Sequence, residues 1–312
     1  MATLPATPDV APGVSARPPA AYERPRPRLS KRVGQTAYYL MVLVVVAIIF
    51  FPIYWMAVTT VQPNKFTLRY PPSLFPRGAS LDSFTSLWDN RPIGAWIWHS
   101  TVLSLTATVI CVVMSVLGAY ALTSGRWRGR TAFGIFLLVT QMLPESLIVV
   151  PIYRIFTHLP VYGTGIVIDF RDSLLGMSLI DAAFIMPICV WILKNLFDTI
   201  PREVKEAALV DGAGPMRVLF QIIIPLTLPG LVAVGVVAFF YAWNEYLFAQ
   251  LFIADNDIFP AALGLAQMQT QFSSPIEQQM AAGLLFAAPP VIFYLVMQRY
   301  IVAGITAGAV KG

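Results

Sequence analysis

Three acidic residues stand where acids are costly. Glu145, Asp181 and Glu245 each fall inside a long apolar stretch of the sequence, and Asn244 adjoins the last of them. A charged side chain at the centre of a bilayer costs about 2.5–3.5 kcal/mol on insertion scales, so each acid needs a reason to be there. Two reasons are chemically reasonable. One is a polar path for a solute or ion; the other is a carboxyl that satisfies backbone freed by a broken helix. For Glu145, beside Pro144, both stand. Asp181 lies close enough to the outer edge of its stretch for a small boundary shift to expose it. Asn244 and Glu245, as neighbours on one helix, would point about 100° apart and cannot both face one surface squarely. Asn244 is expected to line a passage or a protein–protein seam, with Glu245 partnered near the outer end.

A second charged segment, "EVKEAALVDGAGPMRVLFQIIIPL" (203–226), separates two apolar stretches. Pro201 suits a first helical turn, where its missing N–H would be unpaired anyway. Ile200, Val204, Ala207, Ala208 and Asp211 then fall on one face at helical spacing, with Arg202, Lys205 and Glu206 turned elsewhere. Gly212 supplies the left-handed conformation that ends helices at little cost, and Gly214-Pro215 opens a second helix. The residues alone allow two readings: a knob for a partner, with Ala207-Ala208 small enough for close approach, or an amphipathic helix resting at the interface.

Reactive motifs are missing. There is no G-x-x-x-x-G-K-[ST] phosphate loop, no G-x-S-x-G elbow and no H-E-x-x-H. Cys111 and Cys189 lie in apolar runs and read as spacers. His99 and His158 stand apart near the ends of apolar runs, as interfacial residues rather than metal ligands. No catalytic residue, metal or cofactor is expected on this chain.

The elements that position these groups follow from composition. The 312 residues are 57% hydrophobic and 12% charged, against about 25% charged in soluble domains. That composition indicates a polytopic membrane protein. Six stretches are long enough to cross a core of about 30 Å: 37–60, 98–123, 131–156, 174–196, 222–250 and 281–304. Prolines within the third and sixth predict kinks. Trp55, Trp88, Trp96 and Trp98 read as an aromatic belt at the outer interface. Residues 1–35, proline-rich and basic with no apolar stripe, read as a disordered cytoplasmic tail, and 36–312 as the membrane domain. All but Lys65, Arg69, Arg77, Arg91, Arg154 and Arg171 of the 21 cations then fall on one side, which puts both termini in the cytoplasm. No nucleic-acid partner is expected.

The segment "EAALVDGAGPMRVLFQIIIP" resembles the EAA motif of binding-protein-dependent ABC transporter permeases. Glu206, Ala207, Ala208, Gly212, Ile222 and Pro225 match the family pattern, and Ile224 stands where Leu is usual. "DTIPREVKEAALVDGA", "YAWNEYLFA" (241–249) and "QRYIVAGITAGAVKG" (298–312) are similar to the carbohydrate-uptake, maltose-type branch. The resemblance spans the chain after residue 36. It implies an all-α, six-span permease of the type I importer kind, whose first span is peripheral and whose other five form the core. It further implies a cytoplasmic coupling helix, in a loop at about 197–221, that docks in a cleft of an ATPase. Implied partners are a second homologous permease, two cytoplasmic ABC ATPase subunits that hold ATP-Mg, and an extracytoplasmic sugar-binding protein. The implied cargo is a disaccharide or oligosaccharide, trehalose- or maltose-like, or a related polyol or glycerol phosphate compound. An ion-coupled secondary transporter is the alternative. It is weakened because none of the three acids recurs at a matching position in a second half of the chain.

The terminal "ITAGAVKG" is small and flexible, and the resemblance implies a tail that reaches between the ATPase subunits through Gly308 and Lys311. Deleting residues 306–312 should leave insertion intact and weaken assembly or stimulated ATP hydrolysis. Subunit stoichiometry after affinity purification checks this, and normal stoichiometry with normal transport makes the tail a plain terminus.

Overall fold

Hydrocarbon offers no hydrogen bonds, so a chain this apolar must satisfy its backbone internally, and it does so with helices. The computed structural model describes residues 29–309 apart from 64–65, 67–69, 72, 125–126, 162–165 and 270–274. Its helices are α1 (Leu29–Val61), α2 (Asp82–Asn90), α3 (Ile93–Ser124), α4 (Arg130–Thr140), α5 (Glu145–Thr157), α6 (Leu174–Asp198) and α7 (Arg202–Val210). They continue with α8 (Pro215–Leu226), α9 (Leu228–Trp243), α10 (Leu247–Phe252), α11 (Ala261–Gln267) and α12 (Ile276–Ala309). One small exception interrupts the helices, an antiparallel pair of three-residue strands, Leu159–Val161 with Ile166–Ile168.

The chain divides into two units at Pro52. In the first, α1 begins at Leu29, before the expected residue-36 boundary, while residues 1–28 lie outside the described residues. Its large side chains from Tyr38 to Phe51 are exposed around the helix, as suits an element solvated by lipid.

The second unit is built on α3 and α6, which pack along their lengths. Helices in lipid gain little from hydrophobic burial and associate where small residues let backbones approach. Ser100, Ser104, Ala107, Cys111, Ser115 and Ala119 recur every three or four residues of α3 and form a buried stripe. Opposite it lie Ser178, Ala182, Ile185, Cys189 and Leu193 of α6. Two hydroxyls bond across the seam: Ser178 Oγ donates to the Leu103 carbonyl at 3.0 Å and Ser115 Oγ to that of Met186 at 3.4 Å. Helix α9 packs beside this pair and stacks Phe239 on Phe293 of α12, with ring centroids 4.0 Å apart. Trp96 departs from the expected belt. It is 4% exposed, because it lies on the inward stripe of α3 against α11, whereas Trp88 and Trp98 are exposed.

Four helices are continuous candidate spans, and two further crossings are bent pairs. The expected third span breaks between α4 and α5 by 105°, and the fifth between α8 and α9 by 82°. The kink predicted for the third is thus sharper than a proline in an intact helix would make it, the break in the fifth is not among those predicted, and the sixth stays one helix through Pro289 and Pro290. At the first break Pro144, extended and without an N–H, precedes α5, while Gln141 Nε2 donates to the Phe184 carbonyl at 2.8 Å and fastens the corner to α6. At the second, Pro225 lacks the N–H that a regular ladder needs, and Leu219–Ile223 widen to a π-turn just before it. Thr227 then turns the chain, its hydroxyl returning a hydrogen bond of 2.7 Å to the Ile223 carbonyl.

Gly264 marks a close approach to a ring. A Cβ there would lie 2.3 Å from the Trp96 ring, a rigid neighbour, whereas a Cβ on Gly235 would meet nothing nearer than 3.7 Å. Gly264→Val should therefore cost about 1–3 kcal/mol of overpacking, while Gly235→Ala stays near neutral. Thermal unfolding of the detergent-solubilised protein, read as midpoint shifts, checks the contrast.

Candidate functional site

The charged segment forms a corner fixed on both sides. Helix α7 ends in a Schellman motif: Ala213 N–H donates to the Ala208 carbonyl at 3.0 Å and Gly212 N–H to that of Leu209 at 3.1 Å. Gly212 takes the left-handed conformation this closure requires, with φ of +80°. Gly214 precedes Pro215, which opens α8. Two long-range bonds tie the corner down. Lys205 Nζ donates to the Phe197 carbonyl at the end of α6 (2.9 Å), and Tyr120 of α3 donates to the Pro215 carbonyl (2.8 Å).

The expected single face is divided. Ile200 and Ala208 pack against the core together with Ala213, and Lys205 turns in with them. Val204, Glu206, Ala207 and Asp211 face outward, and none of the nine residues of α7 is buried. A lysine can lay its methylene stem along apolar surface and still reach a carbonyl, which helical periodicity does not reveal. Burial holds the Lys205 ammonium below its ordinary pKa; Arg202 adds to that and Asp198 opposes it. Val204, Leu209 and Val210 are apolar yet uncovered, at 39%, 52% and 87% exposure. The corner is thus a rigid, half-apolar projection. Pro225 stands apart from it, exposed near the far end of α8.

The three acids, by contrast, are gathered. Glu145 is the first residue of α5, where the positive end of the helix favours a carboxylate, and it accepts the Tyr241 hydroxyl of α9. Asp181 of α6 is within electrostatic reach of both Glu145 and Glu245. It is 1% exposed, so the boundary shift that would have placed it in water does not occur; α6 starts at Leu174, two turns earlier. Neither Asp181 oxygen has a hydrogen-bond partner among the described residues.

Asn244 and Glu245 do not share a helix. Helix α9 stops at Trp243, so the expected 100° relation fails. Asn244 ends α9, exposed, with Nδ2 donating to the Phe240 carbonyl at 2.7 Å. Glu245 caps α10: Oε1 accepts from Phe248 N–H at 2.8 Å and Oε2 from Ala249 N–H at 3.0 Å. These are amides that a helix start leaves unpaired. Tyr241, the aromatic partner of Glu145, carried no sequence signal beyond its place three residues before Asn244.

A further acid outside the apolar runs also holds structure. Asp172, at φ of 48°, accepts from Ala254 N–H (2.7 Å) and Asp255 N–H (2.9 Å), while its own N–H donates to the Phe252 carbonyl (3.0 Å). The end of α10 is thereby clamped to the start of α6. Gly308 falls within α12 but its side-chain surroundings, like Lys311 altogether, lie outside the described residues.

Residues 112–307 match the family described as binding-protein-dependent transport system inner membrane component. The chain is 33% identical over 290 residues to the inner membrane ABC transporter permease protein YcjP of Escherichia coli K12, covering 91% of this chain and 98% of that one. It is 29% identical over 262 residues to the diacetylchitobiose uptake system permease protein DasC of Streptomyces coelicolor, covering 84% and 92%. The crystal structure of a bacterial ABC transporter involved in the import of the acidic polysaccharide alginate contains a chain that superposes with a TM-score of 0.73 at 18% identity. That match covers 89% of this chain and 99% of the other, and it establishes the shared fold.

Glu245 should behave as a cap. Gln keeps one acceptor and turns a donor toward the second amide, so Glu245→Gln should lose about 1 kcal/mol of stability, and Glu245→Ala more. Uptake per folded molecule should stay normal in the Gln variant. Loss of uptake at unchanged stability would instead assign the charge to gating.

Proposed function

The chain belongs to the family of binding-protein-dependent transport system inner membrane components, and from that premise we propose that this multi-pass membrane protein is the permease subunit of an ATP-driven sugar importer. Its cargo is a neutral disaccharide or oligosaccharide, the class to which the diacetylchitobiose named for one relative belongs. The energy comes from ATP-Mg bound by two cytoplasmic ATPase subunits. A second permease completes the pathway and an extracytoplasmic binding protein delivers the sugar. Both termini face the cytoplasm, and so does the corner at Gly212.

One observation supports this reading most. Helix α7 keeps apolar side chains uncovered while the corner it makes with α8 is fastened to the core, by Lys205 on the α7 side and by Tyr120 at Pro215 on the α8 side. A helix that merely rested on the interface would need neither fastening nor a closed turn. A helix that receives a push needs both, because a loose turn would absorb the motion. Glu206, Ala207, Ala208, Asp211 and Gly212 form the docking surface in this account, and Pro225 shapes the link from α8 toward the spans. Glu145, Asn244 and Glu245 belong to the wall or seam of the pathway, with Glu145 and Glu245 also holding the ends of broken helices. The tail bearing Gly308 and Lys311 contacts the ATPase subunits. Gradient-coupled transport is less favoured, since α7 would then have no partner to serve.

The reconstituted complex should import sugar with ATP alone, and collapsing proton and sodium gradients should leave the initial rate nearly unchanged. Gly212→Val forces a β-branched residue into positive φ at about 1–2 kcal/mol. That variant should insert normally yet lose most uptake. Gradient-driven uptake by this chain without ATPase subunits would make it a secondary transporter.

A further inference from the structure

The end of α1, the approach to α2 and the start of α12 border a half-open cavity of about 400 Å³ that has no part in the corner or the acid group. Its size is within the range of small-molecule sites, about 300–1,000 Å³, but its lining is unlike the mostly apolar walls usual for such sites. Gln62, Ser80, Asp82, Ser83, Ser86 and Gln278 contribute amides, hydroxyls and one carboxylate.

Internal bonds orient these groups and leave a definite remainder. Ser73 Oγ donates to Gln62 Oε1 at 3.0 Å, so the Gln62 carboxamide, 6% exposed, is held with its NH₂ group to spare among the described residues. Asp82 N–H donates to Ser80 Oγ at 3.0 Å, which leaves the Ser80 hydroxyl proton to give. Gln278 Nε2 donates to Ser86 Oγ at 3.2 Å, and Ser86 in turn donates to the Ser83 carbonyl at 3.3 Å, which leaves Gln278 Oε1 as an acceptor. The Asp82 carboxylate is exposed and makes no ion pair among the described residues. Among the described residues, the remainder is therefore donors from Gln62 and Ser80, and acceptors from Gln278 and Asp82, with a single negative charge and no lining cation.

We propose that this cavity binds a neutral polyhydroxylated ligand, a sugar ring, on the extracytoplasmic side of the protein. A hydroxyl is both donor and acceptor, so adjacent hydroxyls on a ring match a wall that offers both at fixed positions. The carboxylate of Asp82 has room to accept two of them at once, and it repels phosphate or carboxylate cargo. The cavity's side of the membrane and its use as a waiting position for incoming sugar rest on the transport reading above; the ligand chemistry rests on the lining alone.

The test uses the complete purified transporter in detergent, without binding protein and without nucleotide. Saturation-transfer NMR titrations with maltose, N,N′-diacetylchitobiose and glycerol 3-phosphate are run on the native protein, Asp82→Ala and Gln278→Leu. Both changes lie on accessible side chains far from the coupling corner, and ATP-driven uptake in proteoliposomes is recorded for each preparation. At least one neutral disaccharide should bind saturably, each substitution should weaken it about tenfold, and glycerol 3-phosphate should not compete. Saturable binding that is absent from the native protein, equal in all three proteins, or stronger for glycerol 3-phosphate overturns the proposal. If native binding fails while ATP-driven sugar uptake proceeds, the cavity assignment is wrong and the transport reading survives. If binding behaves as expected but ATP drives no uptake, the cavity assignment stands and the transport reading fails.

Discussion

Everything in this molecule answers to one constraint: backbone groups in hydrocarbon must find partners inside the protein. It explains why the long crossings are helices, and it sets the terms on which two of them may break. A polar side chain steadies each bend, and a third closes the start of α10. Gln141 reaches a carbonyl of α6, Thr227 bonds back to Ile223, and Glu245 takes up two free amides of α10. Polar residues that look anomalous in an apolar sequence are, at these positions, the terms of the fold.

The same constraint organises the core. With no water to expel between helices, contact is made by shape and by hydroxyls, and the small-residue stripe of α3 permits α6 to come near enough for both. That leaves α3 and α6 closely joined, while the corners at Pro144 and Thr227 interrupt the helices beside them. The fastened turn at Gly212 hangs from the closely joined part, through Phe197 at the end of α6 and Tyr120 near the end of α3.

Much of this was legible in the residues, and the failures have physical causes. Six apolar stretches mark six crossings once each bent pair is counted as one. The Gly212 turn follows from glycine's access to positive φ and proline's place in a first turn. Hydropathy, however, measures greasiness and not direction, so the 105° bend reads as a kinked span and the 82° bend as an unbroken one. Periodicity ranks Lys205 as a solvent residue because it counts the charge and ignores the stem. The burial of Trp96 depends on Gly264, 168 positions away in sequence and closer than a Cβ would allow. The gathering of Glu145, Asp181 and Glu245 depends on three helices meeting, which no local pattern encodes.

The corner between α4 and α5 has a further consequence, in the life of the chain before it is used. Helix α4 has 11 residues, a rise of about 16 Å, roughly half the hydrocarbon thickness. The residues that follow it, Gln141 to Pro144, are exposed. Irregular backbone at that depth is tolerated against protein or water and not against lipid tails. A newly made copy diffusing alone therefore carries a visible defect on its flank until something covers it. The length of one short helix thus sets where the surface of this chain is least suited to lipid alone.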